Sequence, residues 1–185
     1  MAAGFGSVRR FNETFQRLYH RPPYDWDGML AGLVARAEPL ERVEHGRWMR
    51  QIEGGGAVTV AQTGQDRLAV HVSIPDITGL PGVLARVRRV FDLTADPAMI
   101  AEHLSADPAL APLVSKRPGL RLVGDWHVDD PGALMSDRLD NENERVAART
   151  EAWRPWRAYG AAHLMAEGLS VAALPEQETK HDEAA

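Results

Sequence analysis

The sequence contains no cysteine, which removes disulfides, thiolate metal sites and a cysteine nucleophile together. No apolar run approaches the roughly 20 residues of a membrane span. The basic residues near the N-terminus are not followed by a secretory apolar segment. A cytoplasmic protein with no membrane partner is therefore expected. The seven histidines never fall at a tight ligand spacing. Their nearest acidic company, Asp125, His127, Asp129 and Asp130, reads as a polar linker, so neither a metal nor a cofactor is expected. Gly-x-Ser-x-Gly and dinucleotide fingerprints are missing. Gly54-Gly55-Gly56 lacks the Lys-Ser/Thr of a phosphate loop and reads as a hairpin turn. Positive charge is also short: the formal net charge of -5 argues against a generic nucleic-acid binder.

What is present is a core-forming pattern. Hydrophobic residues make up 44% of the chain, enough to exclude wholesale disorder. The charge is uneven: Glu176 to Glu183 form an acidic tail, whereas Arg86, Arg88, Arg89, Lys116, Arg117, Arg121, Arg154 and Arg157 cluster in the body. Gly4 to Tyr19 reads as one helix with Val8, Phe11, Phe15 and Leu18 in a stripe. Asp25 can cap a helix from about Trp26 to Arg36 with Met29, Leu30, Leu33 and Val34 inward, and Pro39 stops it. Val43 to Ile52 reads as a single strand, Val58 and Val60 mark a second, and Leu68 to Ile74 alternates as a third with His71 toward solvent.

Helical spacing returns over Leu80, Val83, Leu84, Val87 and Phe91. Leu80-Pro81-Gly82-Val83 superficially resembles a DNA-binding hairpin. Leu84 stands where that hairpin needs its second glycine, so Pro81 fits a first-turn proline better. Asp96-Pro97 and Asp107-Pro108 are cap-then-proline starts of two short helices, Ala98 to Leu104 and Ala109 to Val114. The pattern predicts an α+β fold.

Three stretches carry resemblances. The segment Gly4-Phe5-Gly6 through Pro22-Pro23 resembles the end of an AraC-type helix-turn-helix domain, although His20 replaces a usual glycine and the preceding helices are absent. Pro22-Pro23-Tyr24-Asp25-Trp26, then Val87-Arg88-Arg89-Val90-Phe91-Asp92-Leu93, then Arg117-Pro118-Gly119-Leu120-Arg121-Leu122 resemble the N-terminal region of the AlkA family, DNA-3-methyladenine glycosylase II. Trp153-Arg154-Pro155-Trp156-Arg157 through His163-Leu164 resembles that family's last helix. The resemblance implies a TATA-binding-protein-like antiparallel sheet with helices on one face, followed by a short helical C-terminal segment.

It divides the chain into a helix-turn-helix remnant (1–21), an AlkA N-terminal-like domain (22–126), a catalytic-domain remnant (127–170) and a tail expected to be disordered and acidic (171–185). The family's helix-hairpin-helix has no room between Trp126 and Asp129, which implies an internally shortened descendant.

The implied activity is hydrolysis of the N-glycosidic bond of alkylated purines, with damaged double-stranded DNA as partner. Such chemistry needs a carboxylate beside a developing oxocarbenium ion and aromatic walls for the flipped base. Leu134-Met135-Ser136-Asp137 resembles the segment carrying the family aspartate, making Asp137 the candidate and Asp140 its alternative; a surface helix cap is the plainer reading of Asp137. Trp153, Trp156 and Tyr159 are base-pocket candidates or simply core, and Met165 replaces an aromatic after His163-Leu164. Arg117, Arg121, Arg154 and Arg157 are the candidates for the DNA backbone. A non-enzymatic remnant, a regulator fragment, and self-association through an uncovered sheet-module surface are the competing expectations.

Overall fold

The computed structural model describes residues 11–14, 24–36, 38–64 and 67–175. Five antiparallel strands, β1 (Phe11–Thr14), β2 (Glu41–Glu44), β3 (Arg47–Gln51), β4 (Ala57–Gly64) and β5 (Arg67–Ser73), lie in the order β1-β5-β4-β3-β2. Strict alternation makes the sheet one-sided. In β5, Leu68, Val70 and Val72 are buried while Arg67, His71 and Ser73 are exposed. The register sets Trp48 beside Val60 and Val60 beside Val70, so large side chains line one face.

Two helices cover that face, α1 (Trp26–Arg36) and α2 (Leu80–Val90). Asp25 Oδ1 accepts from the Gly28 N–H at 3.0 Å and so starts α1. Met29, Leu30, Leu33, Val83, Val87, Val90, Phe91 and Trp126 join the sheet residues in a first core. Trp26 stacks on Phe91, and Trp48 meets Phe91 edge-on at 5.2 Å.

A second core is purely helical. It collects α3 (Pro97–Leu104), α4 (Ala111–Lys116), α5 (Pro131–Glu142), α6 (Glu144–Glu151) and α7 (Arg157–Met165). Trp153, Leu104, Leu110, Val146 and Leu164 are its most buried apolar members. Asp107 organises it: its carboxylate accepts two bonds from Arg149 and one from Trp153 Nε1 at 2.7 Å. Burial alone would raise the Asp107 carboxyl, but Arg149, Trp153 and the Ala109 N–H hold it below the usual range.

The crossover from 117 to 130 joins the cores. Arg36 donates to the Gly124 carbonyl and to Glu41, and Arg50 donates to Glu41 at 2.9 Å. Arg50 Nη2 also lies 2.9 Å from His127 Nε2; a guanidinium only donates, so that nitrogen is the acceptor. These inward charges anchor the crossover to the sheet.

Several expectations are corrected. The helix expected over Gly4 to Tyr19 is a strand at Phe11–Thr14, because those residues find ladder partners from Ala69 to Val72; the rest of that stretch lies outside the described residues. The single strand expected over Val43 to Ile52 is two, split by a turn in which His45 and Gly46 take φ of 51° and 70°. Val34 is 58% exposed rather than inward, since the turn of α1 carries it past the sheet. The helix expected from Ala109 begins at Ala111, because Asp107 first closes a turn onto Ala109. Within the 22–126 segment, α3 and α4 contribute to the second core together with the C-terminal helices. The acidic residues 176–185 lie outside the described residues.

Candidate functional site

The two cores meet around a cleft of about 470 Å³. The end of α2 supplies Arg89 and Asp92, the approach to α5 supplies Asp129 and Asp130, α5 itself supplies Ser136, and the final helical segment supplies Trp156 and Tyr159. Asp130 is the N-cap of α5, its Oδ1 accepting from the Ala133 N–H at 2.8 Å. Among the described residues its second oxygen takes no other hydrogen bond. Asp129 pairs with Arg89 at 2.6 Å. Asp92 Oδ2 accepts from the Tyr159 hydroxyl at 2.6 Å and from the Leu122 N–H at 3.2 Å. Tyr159 and Trp156 stand edge to face with centroids 5.9 Å apart. Three carboxylates around two aromatic rings favour a planar, cationic group.

Of the aromatic candidates, Trp156 and Tyr159 line the cleft and Trp153 does not. Trp153 is 1% exposed and bonded to Asp107, a core residue. Asp137 is exposed, midway along α5 rather than at its start, so the capping reading of it is corrected. It lies one turn beyond Ala133 and outside the lining of the cleft. Asp140 faces the other way in its contacts, pairing with Arg154 and Arg157. A hydrogen bond from Arg157 and the charges of both arginines keep its carboxyl below the usual range.

The four arginines divide by burial. Arg157 is 1% exposed and donates to Thr150 Oγ1 at 2.7 and 3.0 Å as well as to Asp140. Arg121 is buried beside the Tyr24 ring, 5.6 Å from its centroid. Both are interior groups in this structure, where packing against α6 and Tyr24 has withdrawn them from solvent. Arg117 and Arg154 stay partly exposed, paired with Asp25 and Glu167, and with Glu151 and Asp140, respectively. Arg117 and Arg121 border a second, more apolar groove of about 520 Å³ between α1 and α7, where Met165 is 61% exposed. Among the described residues no group of three or more His, Asp or Glu could hold a metal ion.

Asp129 and Asp130, which read as a polar linker in the sequence, line the cleft. The signal was available: Asp130-Pro131 repeats the cap-then-proline pattern of Asp96-Pro97. Asp92 carried no comparable signal, because its partners Leu122 and Tyr159 are distant in sequence.

Sheet, helical body and carboxylate-lined cleft together define an α+β protein with its candidate site at the joint of two cores. The family follows from comparison with known sequences. A family profile described as the AlkA N-terminal domain matches residues 15–127, and the chain belongs to that family. It is 31% identical over 193 residues to a probable bifunctional transcriptional activator/DNA repair enzyme AlkA of Mycobacterium tuberculosis, covering 86% of this chain and 38% of that protein. It is 37% identical over 112 residues to DNA-3-methyladenine glycosylase 2 of Escherichia coli K12, covering 56% of this chain and 36% of that protein. The chain thus spans less than two fifths of the length of these curated relatives. A solved structure of MBOgg1 in complex with a low-affinity DNA ligand aligns at 18% identity and a TM-score of 0.29, over 60% of this chain and 46% of that one.

Proposed function

We propose that this chain is a DNA repair protein of the alkyl-base N-glycosylase kind, with the cleft between its cores receiving the base and the sugar-base bond. The observation that carries this reading is the grouping of Asp130, Trp156 and Tyr159 around one cleft, beside a family relationship to proteins named for DNA repair. An alkylated purine leaves as a cation-derived neutral base, so bond cleavage asks mainly for stabilised positive charge on the sugar. Asp130 suits that role: one oxygen is fixed by the helix cap and the other is available. Asp137, the alternative on α5, lies beyond the lining. The partly exposed cations Arg117 and Arg154 would meet phosphates by exchanging their carboxylate partners.

The reading is tested by base release from duplex DNA containing 3-methyladenine. Release above a no-protein control, reduced at least about a hundredfold by Asp130→Asn and little by Asp137→Asn, is the expected result. The opposite ranking transfers the role to Asp137. Release equal to the control removes the enzymatic reading.

A non-enzymatic, internally shortened protein is the second reading. The aligned span with the mycobacterial relative, 193 residues, exceeds the length of this 185-residue chain, so residues of the relative fall opposite gaps. This supports a body shorter than the relative's. A regulatory role belongs to the name of that relative alone; sequence-specific gel shifts at low salt would bring it to this chain.

A further inference from the structure

We propose that Asp92 is the positioning residue of the cleft, seating Tyr159 and through it Trp156; this rests on the reading of the cleft given above. α2 ends in a Schellman turn. The Asp92 N–H donates to the Arg89 carbonyl at 3.1 Å, and the Leu93 N–H to the Arg88 carbonyl at 2.9 Å. The residue at this point of such a turn is left-handed and ordinarily glycine, which carries no Cβ to strain. Here it is Asp92, at φ 48°. A side chain at that position is a cost to the backbone unless the side chain does something glycine cannot.

The Asp92 carboxylate does so. It bonds the Leu122 N–H of the crossover and the Tyr159 hydroxyl of α7, joining three segments where the cores meet. The crossover is already fixed to α2 without it. The Gly124 N–H donates to the Val90 carbonyl at 3.0 Å, and the backbones approach so closely that a Cβ on Gly124 would lie 2.1 Å from the Arg89 oxygen. α7 is itself packed into the second core, so what Asp92 seats is the Tyr159 side chain at the cleft. Tyr159 passes that placement to Trp156 through their edge contact. The other two cleft carboxylates are held differently, Asp129 by Arg89 and Asp130 by its own helix. Asp92 aligns the wall, and Asp130 remains the group facing the reacting bond.

The test uses the full chain labelled with 5-fluorotryptophan and read by fluorine NMR, with Trp156 among the five tryptophans assigned through Trp156→Phe. Asp92→Gly and Tyr159→Phe are expected to shift the Trp156 resonance while Trp48 stays in place. The double variant should shift it no further than either single one. Asp92→Asn, which tolerates the left-handed backbone and keeps an acceptor oxygen, should restore most of the wild-type signal. In base release, Asp92→Gly should raise KM about tenfold with a smaller change in kcat. An unmoved Trp156 resonance, or shifts that add in the double variant, would overturn the proposal. If Asp92→Gly fails to fold, Tyr159→Phe decides alone: a shifted Trp156 resonance with Trp48 in place supports the proposal, and an unmoved one overturns it. A wild-type chain without base release would remove the catalytic reading, and the NMR shifts would then decide the role of Asp92 by themselves.

Discussion

His163 is buried on α7, 4% exposed, and among the described residues its Nδ1 has no hydrogen-bond partner. Burial, aided by the positive charge of Arg117 and opposed by Asp25, pushes its pKa down to about 4. The folded protein therefore keeps this imidazole neutral, while an unfolded chain takes up a proton near the ordinary value of about 6.5. Stability from this group is complete above that value, falls as pH drops from about 6.5 to about 4, and falls no further below it. The linkage is worth about 3 kcal/mol over the window. His163→Leu, which keeps the apolar bulk, should flatten the decline in thermal midpoint between pH 6.5 and 4.5. Equal slopes in the two proteins would place the acid sensitivity elsewhere. No sequence pattern announced its burial, since a histidine on a helix is buried only by what packs against that helix.

The hairpin between β3 and β4 shows how an element's glycines differ in what they tolerate. Gly54 takes φ 84° in open space, whereas a Cβ on Gly56, at φ 111°, would lie 2.2 Å from the Ser73 oxygen. Gly54→Ala should cost about 1 kcal/mol and Gly56→Ala about 3 kcal/mol, because only the second adds a backbone clash to the strained dihedral. Urea unfolding midpoints measure both, and equal costs would mean that β4 and β5 do not close over this turn. The sequence announced the triple glycine as a turn but passed over His45-Gly46, where the first turn residue is not glycine. The β5 alternation and the starts of α1 and α3 were legible because they rest on nearest-neighbour patterns and side-chain caps.

At the scale of the whole molecule, burial sorts the arginines that the sequence left equivalent. Arg154 keeps half of its side chain exposed and Arg157 almost none. If the chain binds duplex DNA as proposed, Arg154→Gln should leave folding unchanged and lower the slope of log affinity against log salt by about one phosphate contact. Arg157→Gln should instead lower the thermal midpoint, having removed the buried donor to Thr150. A lost salt slope in Arg157→Gln with an unchanged melt would reverse the assignment.

Local pattern, capping chemistry and the spacing of Pro22 to Trp26, Val87 to Leu93 and Arg117 to Leu122 determined the α+β class and the family. They did so because strand alternation, helix periodicity and a family's motifs are written over a few neighbouring residues. Only the tertiary structure decided that α3 and α4 join the C-terminal helices and that Asp92, Asp130 and Tyr159 share one cleft. It alone buried Arg157 and Arg121. Those outcomes depend on contacts between residues dozens of positions apart, where the apolar faces of sheet and helices compete for cover at once.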